Sequence, residues 1–306
     1  MLPDYSYSCA EIRAREARLL DADALQGGEG TADMVRRLAD LGYGQGGQGS
    51  VEALIEAEMA SVAELIKTML PRELYSLLLL ENDCHNMKVL LKAAVVGKKF
   101  PELIKNGSVF DPQIAEACAQ GGEFSLLSEH IASVLNPAYD GGELVSPYGI
   151  STSCDRAFYG ELAICAKKAP DIIKRACALE ADCINYLSYK RARAVNMDQA
   201  SFRMALIPGG SLSCERLYEA YCQGSDDLGE LSFGCDCHFA YLNAEKSEGG
   251  TLGETRLALS LEVQKIYEEG RYDTDTPVPI FLYYKKKQNE ALKLRALAAH
   301  GRNEVQ

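Results

Sequence analysis

Apolar residues along the chain recur every three to four positions, with polar residues filling the rest of each turn. That spacing is the signature of amphipathic helices. The stretch AEIRAREARLL, Ala10 to Leu20, places Ile12, Leu19 and Leu20 near one stripe. Thr31 is positioned to cap a helix through Leu41, and Ser50 another through Leu70, which stops before Pro71. The same periodicity predicts helices at 71–96, 111–119, 125–135, 154–168, 170–196, 212–222 and 254–269. Pro277 and Pro279 then lead into a last helix ending near Gly301. Strand-like alternation is nearly absent, so the fold class is all-α. Gly-rich and turn-rich segments at 42–49, 136–153, 223–236 and 243–253 are the expected loops.

The pattern also repeats. ENDCHN begins at Glu81 and EADCIN at Glu180, 99 positions later. The register extends in both directions, pairing Pro71 with Pro170, Leu80 with Leu179 and Ala93 with Ala192. Downstream, GSVFDPQIAEA from Gly107 aligns by identity with GSLSCERLYEA from Gly210, an offset of 103 that implies a four-residue insertion. Each unit is therefore expected to hold a long helix carrying Asp-Cys-x-Asn, a turn and a shorter helix. Glu290-Ala-Leu-Lys-Leu-Arg295 follows a proline pair at a similar distance and marks a weaker third copy. Its short helix would be 31–41, so both chain ends would close the third unit. Units of this kind gain stability by packing on their neighbours. The expected domains are 1–45 with 270–306, then 50–145, then 150–269.

Composition narrows the function. The net charge of -12 disfavours a general nucleic-acid binder, which needs excess Lys and Arg, and equally a basic face for anionic lipid. No apolar run reaches the ~18 residues that span a bilayer. The opening Met1-Leu-Pro-Asp lacks an apolar leader, and eleven scattered cysteines read as reduced, mostly buried thiols of a cytoplasmic protein.

The chemical motifs are sparse. Asp83, Cys84 and Asn86 invite a thiol-enzyme reading, but Cys84 lacks a suitably placed base, and Ile184 stands where the first copy has His85. The spacing instead puts Asp83 with Asn86, and Asp182 with Asn185, on one helix face, expected to hydrogen-bond neighbouring segments. Cys235, Cys237 and His238 are candidate soft metal ligands without a C-x-x-C partner pair. GQGGQG at Gly44–Gly49 satisfies G-x-G-x-x-G but follows a helix rather than a strand, so it reads as a connector. There is no P-loop sequence, and no cofactor is expected. YYKKKQ, Tyr283–Gln288, reads as a solvated basic face or a docking face for an acidic partner.

Taken in order, these segments resemble the central-stalk C subunit of A/V-type ATPases, related to the V-ATPase d subunit. Tyr7, Ala10, Ile12, Arg13, Ala14, Glu16, Leu19 and Leu20 match the family's opening, with Glu11 in place of an Arg. Asp83/Asn86/Met87 and Asp182/Asn185/Tyr186 fit its mid-chain pattern, and IPGGSLS from Ile207 its Pro-Gly-Gly turn. Lys287, Glu290, Leu294 and Arg295 match its C-terminal segment, where Gln288 and Lys293 replace Glu and Asn. The resemblance implies three similar helical domains in a funnel with approximate threefold symmetry. It implies a non-catalytic protein between the shaft subunits and the membrane rotor ring, peripheral to the membrane on its cytoplasmic side. Asp83, Asn86, Asp182, Asn185, Glu290 and Arg295 would then be structural. Two other readings remain at this point: an unrelated helical-repeat adaptor and a cytosolic thiol-dependent enzyme.

Overall fold

The computed structural model describes residues 4–21, 31–46, 49–246 and 252–303. Every regular element among them is helical. The chain divides into two compact units, one made of residues 1–71 with 247–306 and the other of residues 72–246.

The first unit holds α1 (Ser6–Glu16), α2 (Thr31–Asp40), α3 (Val51–Met69), and, from the far end of the chain, α13 (Leu252–Glu268) and α14 (Val278–Asn303). Helix α14 is the axis on which α1, α2, α3 and α13 pack. Its first two turns are apolar all round, and Ile280, Phe281, Leu282, Tyr283 and Tyr284 are all buried, as a central helix requires. Leu38, Tyr43, Leu54 and Ile55 meet Ala291 and Leu294 in one core, so residues near opposite ends of the chain share it. Helix α1 starts earlier than its apolar stripe suggests, because the Asp4 carboxylate accepts the Ser6 amide at 2.9 Å and anchors the first turn. The helix ends at Glu16, so Leu19 and Leu20 lie beyond it.

The basic run behaves differently from its sequence reading. Lys285 and Lys287 are buried, and Lys286 pairs with Glu16 at 2.8 Å. A cationic stretch on a central helix has no solvent to face, so carboxylates of the surrounding helices neutralise it.

The second unit holds α4 (Arg72–Val96), α5 (Pro112–Gly121), α6 (Glu129–Asp140), α7 (Pro147–Ala166), α8 (Asp171–Ala194), α9 (Gln199–Ala205), α10 (Cys214–Gln223), α11 (Leu228–Leu231) and α12 (His238–Lys246). Helix α7 is central here, packed by α4, α6, α8 and α9. The expected loop at 136–153 is shorter than its residues suggest. Helix α6 runs through Pro137 to Asp140, and α7 opens at Pro147 behind its cap Ser146, whose hydroxyl accepts the Gly149 amide at 2.9 Å. Proline at the first helical position is pre-shaped for it.

Candidate functional site

The two signature helices are α4 and α8, which begin 99 positions apart, as the repeat requires. They also end alike. Gly97 (φ +69°) and Asn196 (φ +49°) adopt the left-handed conformation, and the amides of Lys98 and Met197 return to the carbonyls of Ala93 and Ala192. This is the same 6→1 helix stop twice, made once with glycine and once with the side chain that best tolerates that backbone.

Midway along each helix, an Asp and an Asn one turn apart hold the returning chain. Asp83 accepts the amides of Val109 at 2.7 Å and Phe110 at 3.0 Å. Asn86 donates to the Lys105 carbonyl at 2.9 Å and accepts its amide at 2.8 Å. In the second copy Asp182 accepts the amides of Ser211 at 2.8 Å and Leu212 at 3.1 Å, together with the Ser211 hydroxyl. Asn185 donates to the Ile207 carbonyl and accepts the Ile207 amide, both at 2.9 Å. All four side chains are buried. Buried backbone amides require partners, and each Asp-Asn pair supplies them to a segment outside regular structure.

These bonds correct the register downstream of the signature. Lys105 answers to Ile207, Val109 to Ser211 and Phe110 to Leu212, an offset of 102 rather than the 103 suggested by identity. The helix caps Asp111 and Ser213, and the closing left-handed glycines Gly122 and Gly224, keep the same offset. The insertion is therefore three residues. Gly210 fills the place of Ser108, because a Cβ there would lie 2.1 Å from the Asp182 carboxylate.

The third signature is built differently. Glu290 accepts the Leu20 amide at 2.7 Å. Its other oxygen faces Lys287 at 2.9 Å, and Lys287 also reaches Glu58 at 2.8 Å and lies over the Tyr43 ring. Burial alone would lower the Lys287 pKa, but Glu290 and Glu58 outweigh it and raise it. Burial, with Glu290 and Glu58 close by, pushes the Tyr43 hydroxyl well up. One turn further, Arg295 binds Glu52 at 2.6 Å and Glu56 at 2.8 Å. Sequence reasoning misses Lys287 as a partner of Glu290, and Glu58 and Tyr43 as the other groups that Lys287 meets, although the basic run points at the lysine.

The other motifs do not converge on chemistry. Seven of the eleven cysteines are buried and none is in a disulfide. Burial pushes the Cys84 thiol well up and those of Cys154 and Cys237 to about 12, the opposite of an activated nucleophile. Cys235 accepts from Arg216, while His238 Nδ1 lies 3.0 Å from the Gly229 carbonyl. Among the described residues no group of three His, Cys, Asp or Glu side chains is placed to hold a metal. Of the Gly-rich stretch, Gly47 and Gln48 lie outside the described residues, while Tyr43–Gly46 forms a 3₁₀ turn packed on α3. Gly44 (φ +65°) is needed for that packing, since a Cβ there would stand 2.8 Å from the Leu54 carbonyl oxygen.

The fold and these sites define an all-α protein whose buried polar residues fasten a duplicated helical unit. Residues 8–305 match the family model described as ATP synthase (C/AC39) subunit, and the chain belongs to that family. It is 24% identical over 318 aligned residues to the C subunit of the A-type ATP synthase of Thermococcus kodakarensis, covering 96% of this chain and 85% of that relative. A shorter match, 34% identical over 113 residues, is to the C subunit of the V-type ATP synthase of Thermus thermophilus, covering 34% of this chain and 35% of that relative. The corresponding A-type protein of Thermococcus onnurineus is 24% identical over 322 residues, covering 96% of this chain and 85% of that relative.

Proposed function

We propose that this chain is the non-catalytic central-stalk subunit of a rotary A/V-type ATPase, linking the shaft subunits to the membrane rotor ring. The family match over nearly the whole chain carries this reading. Its work would be mechanical: transmitting torque between ATP turnover and ion movement, at the cytoplasmic face and peripheral to the membrane through the ring. Three similar helical domains around a pseudo-threefold axis would suit a collar that grips a shaft. The α4 and α8 units, with Glu290 on α14 as the variant third signature, support that arrangement. In this reading Asp83, Asn86, Asp182, Asn185, Glu290 and Arg295 are structural fasteners. No helix among the described residues is long and apolar enough to cross a membrane.

The test is co-purification. A tagged chain expressed in its native host should bring down shaft and ring subunits in fixed proportion, and a chain recovered without either would sink the reading.

A further inference from the structure

One end of the second unit gathers apolar side chains in the open. Lys92, a turn before the end of α4, donates to the Ser151 hydroxyl at 3.1 Å. The Tyr148 hydroxyl donates to the Ser201 carbonyl in the first turn of α9, and lies 3.8 Å from the sulfur of Met197, just past α8. The first turns of α7 therefore sit between the C-terminal ends of α4 and α8. At that end Val96, Val145 and Val195 are 61%, 67% and 66% exposed, with Val95 and Tyr148 also open. Single exposed apolar residues are ordinary, but five at one end of a unit mark a surface that something covers. Val96 and Val195 are moreover repeat equivalents, each placed by the same helix stop.

The charge around them points to the occupant. Lys92, Lys98, Lys99, Arg191 and Arg193 lie within a few residues of the valines along the chain, against Glu116, Glu143, Asp198 and Asp226, the last paired with Arg193 at 3.1 Å, in a chain whose net charge is -12. Lys98, Lys99 and Arg191 are exposed, and Lys99 reaches Glu116 at 2.6 Å. We propose that this end of the second unit is a docking surface for a protein face with an apolar centre and an acidic rim, carried by the rest of the ATPase complex. The proposal rests on the function above. A bilayer is the poorer fit, because the chain's overall negative charge opposes approach to anionic lipid.

The test measures binding of the full-length chain to detergent-solubilised ATPase complex stripped of this subunit. Val96→Gln with Val195→Gln should weaken binding about tenfold or more, since both valines would lose their burial. Lys98→Glu with Arg191→Glu should weaken it mainly at low salt. Leu126→Gln, on an exposed residue near the other end of α6, should change nothing, and all variants should keep the wild-type melting temperature. Wild-type binding with the valine pair unaffected overturns the surface but leaves the function standing. Loss of binding to phosphatidylglycerol vesicles, with complex binding unchanged, also overturns it, in favour of lipid. A wild-type chain that ignores the stripped complex removes both readings.

Discussion

Asp83 and Asp182 do the same job in different surroundings. Each accepts two consecutive backbone amides, but Asp182 also takes the Ser211 hydroxyl and sits against the buried Tyr241, whose hydroxyl donates to the Asp182 carbonyl at 2.8 Å. Burial raises the Asp182 pKa, and the donors only partly counter it. Removing either carboxylate strands two buried amides. Asp83→Ala and Asp182→Ala should each therefore cost about 1–3 kcal/mol, read from denaturant melts. Unchanged melts for both would end the fastener reading. The acid shift adds a signed expectation. A carboxyl whose folded pKa lies above its unfolded value contributes stability that is present below the unfolded value and lost as pH rises through the folded one. The stability of wild type relative to Asp182→Asn should therefore fall as pH is raised across that window. A pH-independent difference would mean that Asp182 titrates as it does in the unfolded chain. The thiols carry a residue-scale prediction as well. Cys222 is the exposed cysteine and should react with a thiol reagent first, well ahead of Cys84, Cys154 and Cys237. A fast buried thiol would revive the thiol-enzyme alternative.

At the scale of elements, the sequence is legible where a pattern is long and periodic. The starts of α4 and α8, each at the residue after its proline, and the Ser50 cap of α3 can be read directly, because caps and prolines act locally. The slip of one residue after the signature comes from matching Gly107-Ser108 to Gly210-Ser211, when the backbone instead equates Gly107 (φ +76°) with Gly209 (φ +104°). Two adjacent glycines cannot be told apart by identity, and only the left-handed backbone picks one. Lys287 misleads for a different reason. Charge normally marks a solvated face, and the neutralising carboxylates Glu58 and Glu290 lie on another helix and one turn along its own. Because Lys287 is 4% exposed, removing it leaves buried carboxylates unpaired. Lys287→Met should cost about 3–5 kcal/mol, and adding Glu58→Met should recover part of that loss. A melting temperature unmoved by Lys287→Met would show that water reaches the cluster.

At the scale of the whole molecule, the two units differ in how they use the chain. The second is continuous from residue 72 to residue 246, and its fasteners join segments that all lie within that range. The first is assembled from both ends. Leu54 and Ile55 on α3 are covered by Ala291 and Leu294, the Leu20 amide ends on Glu290, and Glu52 and Glu56 end on Arg295. A fragment of residues 1–71 would expose that core and leave the Leu20 amide without its acceptor, whereas residues 72–246 keep their packed α7 and both signatures. The expected outcome is that the 72–246 fragment melts cooperatively with strong helical circular dichroism, while 1–71 alone is largely unfolded. Joining 1–71 to 247–306 through a flexible Gly-Ser linker should restore a cooperative transition, because the linker replaces only the excursion through the second unit. Glu290→Ala in that joined chain should weaken the transition, since it removes the acceptor shared by Leu20 and Lys287. A folded 1–71 fragment, or a joined chain that stays unfolded, would show that α14 is not what completes the first unit.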